Sequence, residues 1–100
     1  MSKLLNKKQA EHRISHLEFN WQAKDKSLLL EAEVKDFSEG VWVIDEIAKA
    51  AAELNHHPDI ALENYNQLTI LLSTHSAGGI TDKDLSLAEK IDAIISRVKR

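Results

Sequence analysis

The sequence has no cysteine, one proline, three glycines and no long apolar run. Without cysteine the chain can form neither a disulfide nor a thiolate metal site, and it fits a reducing compartment. Its apolar stretches fall short of the roughly 18 consecutive residues that a membrane-spanning helix needs. Residues Met1 to Ala10 hold no apolar core of the length that a secretory signal requires. We therefore expect a cytoplasmic protein with no membrane partner.

A strong charge of one sign is also absent. The 13 basic and 16 acidic side chains leave a formal net charge of −3, so no basic field favours nucleic acid as a direct partner. Hydrophobic residues make up 43% of the 100 positions and charged residues 29%, which is typical of a globular protein and not of a disordered one. We expect a single domain over residues 1–100.

Apolar residues at helical spacing predict three helices. The first runs from about Lys7 to His16 and starts in a capping box made by Asn6 and Gln9. The second follows the cap residue Asp36 and ends near Leu54. Its predicted buried stripe consists of Phe37, Val41, Ile44, Ala48 and Ala51, with Ile47 and Leu54 flanking it.

Trp42 falls on the polar face of the second helix, which is an uncommon place for tryptophan. The third helix is capped by Thr81, with Asp84 as the partner in its capping box. Lys99 and Arg100 complement the dipole at the end of this helix. Its predicted buried stripe consists of Leu85, Ala88, Ile91, Ile95 and Val98.

Two predicted hairpins alternate with these helices. The arms Phe19–Ala23 and Leu28–Lys35 bracket one turn, and a strand beginning at Ile60 is joined to Gln67–His75 by a turn at 64–66. The order α-β-β-α-β-β-α predicts an α+β fold: a four-stranded antiparallel sheet with helices packed on one face. The open sheet face and edges favour a second subunit as their cover.

The residues able to do chemistry concentrate between Glu53 and Asp84. Three of the five histidines lie there, beside the only proline. His56 and His57 follow the second helix and His75 ends the fourth predicted strand, so the three can converge at the ends of these elements. Since neighbours on a regular element point apart, His56 and His57 need irregular backbone between them to serve one pocket.

Four interpretations of this cluster stay open on spacing alone. Three imidazoles could bind zinc, although adjacent His56 and His57 are poorly placed to share a metal. Ser73 or Ser76 could pair with His75 in a nucleophilic triad, but neither stands in a Gly-x-Ser-x-Gly frame. The histidines could be purely structural. Finally, imidazoles are suited to acid–base catalysis without any cofactor.

The segment Glu53-Leu54-Asn55-His56-His57-Pro58-Asp59 is followed by Tyr65-Asn66, by Ser73-Thr74-His75 and by Asp84. This pattern resembles the pterin-4a-carbinolamine dehydratases, and a weaker match through Trp21 and Lys35-Asp36-Phe37 extends it over nearly the whole chain. The resemblance implies a hydro-lyase that converts 4a-hydroxytetrahydropterin to quinonoid dihydropterin and recycles the pterin cofactor of aromatic amino-acid hydroxylases. It implies neither metal nor organic cofactor.

By this resemblance the catalytic residues are His56, His57 and His75. The residues expected to bind the substrate are Trp21, Glu53, Pro58, Ser73, Thr74, Ser76, Ala77 and Asp84. For Asp84, capping of the last helix is an equally good interpretation. The family tends to carry an acidic residue where this chain has Ala52, and we expect Glu53 to orient the histidines instead, because it stands i,i+3 to His56 and i,i+4 to His57.

The resemblance also implies a homodimer or homotetramer, and we expect Trp42 to lie at or near a subunit or partner contact. Animal members of the family double as dimerisation cofactors of a transcription factor. The alternative function is therefore a non-catalytic binding module with the same fold.

Overall fold

The computed structural model describes residues 3–99, so Arg100 and its predicted role at the end of the last helix lie outside the described residues. Within this range the elements are α1 (Lys7–Ile14), β1 (Gln22–Lys24), β2 (Ser27–Glu33), α2 (Phe37–Leu54), β3 (Asp59–Glu63), β4 (Gln67–Leu72) and α3 (Asp82–Val98), with a 3₁₀ turn at His75–Ala77 before α3. The predicted order and the α+β class are confirmed.

The four strands form one antiparallel sheet in the order β1-β2-β4-β3. Strands β2 and β4 pair at its centre, with Leu30 opposite Ile70. The side chains that this sheet buries beneath the helices are Leu28, Leu30, Leu68, Ile70 and Leu72. On the opposite face Leu71 is 38% exposed. Buried and more exposed side chains therefore alternate along β2 and β4 as predicted, and the helices cover one face of the sheet.

Strands β1, β2 and β4 are shorter than predicted, and for β1 and β4 the reason is local. Strand β1 begins only at Gln22, because the backbone N–H groups of Glu18 and Phe19 donate to the Asp92 carboxylate of α3 instead of joining a strand. Strand β4 ends at Leu72, and the chain beyond it folds into a tight loop before α3.

Helix α2 buries a face that only partly coincides with the predicted one. Its buried residues are Gly40, Val43, Ile47, Ala50 and Ala51. Phe37 and Val41 are 55% and 47% exposed, and Ala48 is also exposed, so the predicted stripe was wrong at these three positions. Gly40 lies against Leu62 of β3, where an added Cβ would stand 2.8 Å from the leucine side chain. This close approach of helix and sheet turns Phe37 and Val41 outward.

The predicted helix caps are confirmed. Asn6 and Gln9 form a reciprocal capping box on α1, and Thr81 and Asp84 form one on α3. In α3 the predicted stripe is buried through Ile95, and Val98 is partly buried. None of the helices described here has the length and apolarity to cross a bilayer.

Candidate functional site

His56 is placed by the way in which α2 ends. Asn55 adopts the left-handed conformation, with φ 50° and ψ 46°, which asparagine tolerates better than most residues. Its N–H donates to the carbonyl of Ala52 at 3.2 Å, and the N–H of His56 donates to that of Ala51 at 3.0 Å. This pair of bonds closes the helix and directs His56 away from its axis. Residues 56–58 then belong to neither a helix nor a strand, as the His56–His57 pair needs.

The imidazole of His56 is bonded to the carboxylate of Asp84. The distance from Nε2 to Oδ1 is 2.6 Å, and the two side chains are 11% and 0% exposed. Because a carboxylate oxygen accepts, Nε2 carries the hydrogen and donates it. No side-chain nitrogen or oxygen in residues 3–99 is both buried and without a partner. Nδ1 of His56 has no partner among those residues, so it reaches solvent and can meet a ligand.

Asp84 caps α3 and holds His56 at the same time. Its Oδ2 accepts from the N–H of Thr81 at 2.9 Å and from Oγ1 of Thr74 at 2.8 Å, while Oδ1 faces His56. The two interpretations of Asp84 from the sequence are therefore compatible, because each uses one carboxylate oxygen. Since Asp84 is fully buried, it can act on a ligand only through His56.

Two buried hydroxyl groups are linked to Asp84 by hydrogen bonds. Oγ1 of Thr74 and Oγ1 of Thr81 are 2.8 Å apart, and these residues are 6% and 0% exposed. Thr74 donates its one hydroxyl hydrogen to Asp84, so it must accept from Thr81. Oγ1 of Thr81 in turn accepts the N–H of Lys83 at 3.3 Å. The hydrogen bonds thus run in one direction, toward the carboxylate.

His75 is carried by the loop that follows β4. The N–H of Thr74 donates to the carbonyl of Gly79 at 2.8 Å, and the carbonyl of Thr74 accepts from the N–H of Gly78 at 3.0 Å. Gly78 has a φ of 79°, which glycine adopts readily. The loop closes on Thr74 and leaves His75 and Ser76 exposed. His75 is therefore one residue away from the side chain that bonds the buried carboxylate.

Four more residues of the predicted site lie within two positions of His56 or His75 along the chain: His57, Pro58, Ser73 and Ala77. His57 is exposed, and Pro58 is half-buried just before β3. Ser73 donates its hydroxyl to the carbonyl of Lys26 at 3.0 Å. Ala77 is half-buried at the end of the 3₁₀ turn.

Trp21 has its contacts elsewhere. Its Nε1 donates to Oδ1 of Asp92 at 3.1 Å, and the residue is 6% exposed. It borders a cavity of about 770 Å³ lined by residues of the segment 11–24, which contains none of the three site histidines. Trp21 and Asp92 together tie the segment before β1 to α3. Asp92 is not among the residues predicted from the sequence, although an acidic residue next to the buried stripe of a helix was an available signal.

Among residues 3–99, Glu53 has neither a hydrogen bond nor an ion pair with His56. The side chain is exposed, and α2 ends at Leu54, so the helical spacing does not continue as far as His56. The carboxylate bonded to His56 is that of Asp84, on another helix.

The described side chains offer no preformed metal site. Within residues 3–99, no three histidine or carboxylate side chains are grouped in a way that could hold a metal ion. Independence from metal stays a prediction that requires its own experiment.

Comparison with known proteins relates this chain to one family. The family model described as "Pterin 4 alpha carbinolamine dehydratase" matches residues 3–94. A protein of Sulfolobus acidocaldarius is 37% identical over 90 residues, covering 90% of this chain and 97% of its own. One of Trichodesmium erythraeum is 33% identical over 94 residues, covering 94% and 99%. Both are named, provisionally, as pterin-4-alpha-carbinolamine dehydratases.

Two solved structures share the fold. A transcriptional coactivator/pterin dehydratase from Brucella melitensis superposes with a TM-score of 0.84 at 30% identity, covering 92% of this chain and 98% of its own. A pterin dehydratase-like protein described as a RuBisCO assembly factor in the alpha-carboxysome superposes with a TM-score of 0.60 at 20% identity, covering 79% and 90%. The second likeness concerns the fold alone.

Proposed function

Since this chain belongs to the pterin 4 alpha carbinolamine dehydratase family, we propose that it removes water from a 4a-hydroxytetrahydropterin to give the quinonoid dihydropterin. The observation that carries the proposal is the hydrogen bonding of His56. Its Nε2 is bonded to a buried carboxylate, and its Nδ1 is open to a ligand. Recycling of a hydroxylase cofactor and a cytoplasmic location belong to the same proposal.

The reaction needs only two proton transfers. The hydroxyl at C4a leaves as water after it gains a proton, and the pterin N5 gives up its proton as the double bond to C4a forms. In our proposal Nδ1 of His56 takes the N5 proton. The imidazolium that results keeps its Nε2–H on Asp84, whose negative charge stabilises it. One base and one acid therefore suffice, and neither step changes an oxidation state.

We assign the acid to His57 and the holding of the 4a-oxygen or the ring to His75. Both side chains are exposed, as groups that meet a substrate must be. Pro58 follows His57 along the chain, and Ser76 and Ala77 follow His75; we propose that these three residues contact the pterin. Ser73 and Thr74 already use their hydroxyls within the protein, so they would act through their backbone or through their neighbours.

A non-catalytic binding module is the alternative, because the same fold is found in a protein described as an assembly factor. A binding module has no need of a histidine held in one tautomer by a fully buried acid. That arrangement favours catalysis for this chain.

The direct test is to add the purified protein to 4a-hydroxytetrahydropterin generated by an aromatic amino-acid hydroxylase and to follow dehydration by ultraviolet absorbance. We expect a first-order rate that rises in proportion to protein concentration above the spontaneous rate. A rate that stays at the spontaneous value at every protein concentration would reject the dehydratase proposal and leave the binding module.

We predict that this activity does not depend on metal. Protein treated with a chelator and then dialysed should keep its dehydration rate, because both proton transfers use side chains that are already in place. Metal analysis by mass spectrometry accompanies the assay. Stoichiometric zinc, together with activity that returns only when zinc is restored, would contradict the prediction.

The outer face of α2 is the surface we propose for contact with a second copy of the chain. Phe37, Val41 and Trp42 are 55%, 47% and 37% exposed there, and exposed apolar side chains clustered in this way are typical of subunit contacts. Arg97 stacks on Trp42 with its guanidinium 5.1 Å from the ring centroid. Beside them, the hydrogen bond from Lys49 lowers the pKa of the Glu46 carboxyl, so the rim of the patch is charged.

We predict a dimer or tetramer at micromolar concentration by light scattering. Val41→Asp and Trp42→Asp should shift the protein toward the monomer, because each places an unpaired charge in the contact. Asp45→Asn, at an exposed position of the same helix, is the control and should leave the assembly intact. A wild-type monomer, or an assembly that neither aspartate variant disturbs, would contradict the assignment of this face.

A further inference from the structure

Asp84 is held in place by buried residues that a substrate cannot touch. The site therefore includes more residues than those that contact a ligand. Asp84 presents Oδ1 to His56 only while Oδ2 stays where its two donors put it. One donor is the backbone N–H of Thr81. The other is the Thr74 hydroxyl, and the Thr81 hydroxyl fixes its direction. Both hydrogen bonds to Oδ2 therefore depend on Thr81: one comes from its N–H, and the other comes from the Thr74 hydroxyl that Thr81 orients.

We propose that Thr81 is a positioning residue for His56: through its N–H and its hydroxyl it fixes the Asp84 carboxylate in the orientation that keeps the His56 hydrogen on Nε2. For its kinetic consequence the inference rests on the proposed dehydratase function. For its effect on the His56 ring it rests on the geometry alone.

The direction of the hydrogen bonds explains why the hydroxyl of Thr81 matters. If Thr81 could not donate, Thr74 would lose the bond that orders its own hydroxyl, and that hydroxyl could rotate away from Asp84. With one donor fewer on Oδ2, the carboxylate can turn. The hydrogen bond between Oδ1 and Nε2 of His56 is then misaligned. Without it the imidazole ring can carry its hydrogen on either nitrogen.

Thr81 cannot act by touching a substrate, because it is 0% exposed. Its backbone is also fixed independently of its side chain, by a bridge to Leu4 and by the N–H of Leu5, which donates to the carbonyl of Ile80 at 2.8 Å. Loss of the Thr81 hydroxyl should therefore disturb the hydrogen bonds around Asp84 more than it disturbs the backbone.

The test compares Thr81→Val, which keeps the shape and removes the hydroxyl, with Thr81→Ser, which restores it. We expect Thr81→Val to lower kcat on the order of 10-fold with KM changed less than about 2-fold, and Thr81→Ser to stay within about 2-fold of wild type. Imidazole ¹⁵N shifts of His56 should report hydrogen on Nε2 in wild type and Thr81→Ser, and a mixture of both tautomers in Thr81→Val.

Loss of a helix cap also costs stability, so a matched control is needed. Asn6→Ala removes the corresponding cap of α1, whose hydrogen bonds involve only Asn6 and Gln9. We expect this variant to melt earlier yet to keep kcat and the His56 tautomer. If Thr81→Val does not fold, Thr74→Val removes the same hydroxyl link and leaves the Thr81 cap in place. We expect it to lower kcat and to mix the tautomers as well.

The proposal is overturned if the folded valine variant keeps both kcat and the Nε2–H signature, or if Asn6→Ala lowers kcat as much as Thr81→Val does. A rise in KM with unchanged kcat would equally overturn it. If wild-type protein had no dehydratase activity, the proposed function would fail, and the ¹⁵N comparison would still decide the positioning role.

Discussion

Replacing His56 by alanine is expected to lower the dehydration rate by roughly 10²-fold or more, the usual cost of removing a positioned general base. The ring supplies the Nδ1 lone pair that reaches solvent, while its Nε2–H is held by Asp84. Water in the vacated space would be a weaker base and would lack a fixed position. His75→Ala should lose a similar factor if that ring holds the leaving oxygen. Both rates are measured under single-turnover conditions with hydroxylase-generated substrate.

His12→Ala is the control for these two variants. It removes an exposed histidine of α1, outside the cluster, and should keep the full rate. Circular dichroism and melting temperature establish that each variant is folded. If folded His56→Ala protein kept more than about a third of the wild-type rate, His56 could not be the base, and the assignment of roles within the cluster would have to change.

Asp84→Asn should lower kcat by roughly 10²- to 10³-fold although it changes the shape of the side chain very little. The Thr81 N–H and the Thr74 hydroxyl both donate to the position of Oδ2, so the amide oxygen of asparagine must occupy that position. Its NH₂ group then faces His56 and donates to Nε2. The ring must accept there and carry its hydrogen on Nδ1, which is the wrong tautomer for a base at that atom.

The measurements for this variant are kcat, KM and the imidazole ¹⁵N shifts of His56. We expect the loss to fall on kcat, because the fully buried Asp84 cannot touch the substrate. The shifts should report hydrogen on Nδ1. Unchanged tautomer and unchanged kcat in a folded Asp84→Asn protein would show that the carboxylate only caps α3.

Glu53→Gln is the matched control, since it also replaces a carboxylate by an amide. Glu53 is the residue that the spacing in the sequence favoured for orienting the histidines. We expect its rate to stay within about 2-fold of wild type across neutral pH, because Glu53 is exposed and α2 ends before His56. A loss as large as that of Asp84→Asn, with slower turnover and a pH–rate profile moved to lower pH, would return the orienting role to Glu53.

Much of the fold could be predicted from local patterns, because helix caps and the alternation of buried residues involve positions close together in the sequence. Alternation along 28–34 and 68–74 predicted the buried faces of β2 and β4, because a strand embedded in an antiparallel sheet has a fixed period of two. The capping boxes at Asn6 and Thr81 depend on residues three apart and formed as predicted. The spacing of His56, His57 and His75 likewise predicted a site without any tertiary information, and that prediction awaits its experiment.

Helix α2 shows where periodicity is insufficient. Apolar residues occupy more than one face of this helix, so two stripes competed for burial. Gly40 favours the observed face, because a Cβ at this position would stand 2.8 Å from the Leu62 side chain and force that side chain to shift. That contact joins positions 22 residues apart in the sequence, which no local window can detect.

The sequence by itself determined the order of the elements, the caps and the residue types that can transfer protons. The tertiary structure decided which carboxylate serves His56, because Asp84 is 28 positions away and reaches the ring only when α3 packs against the end of α2. It also connected Trp21 to Asp92, across 71 positions. The physical reason is the same in both cases. A buried polar group must find a partner, and packing of the whole chain chooses that partner, whatever the spacing in the sequence.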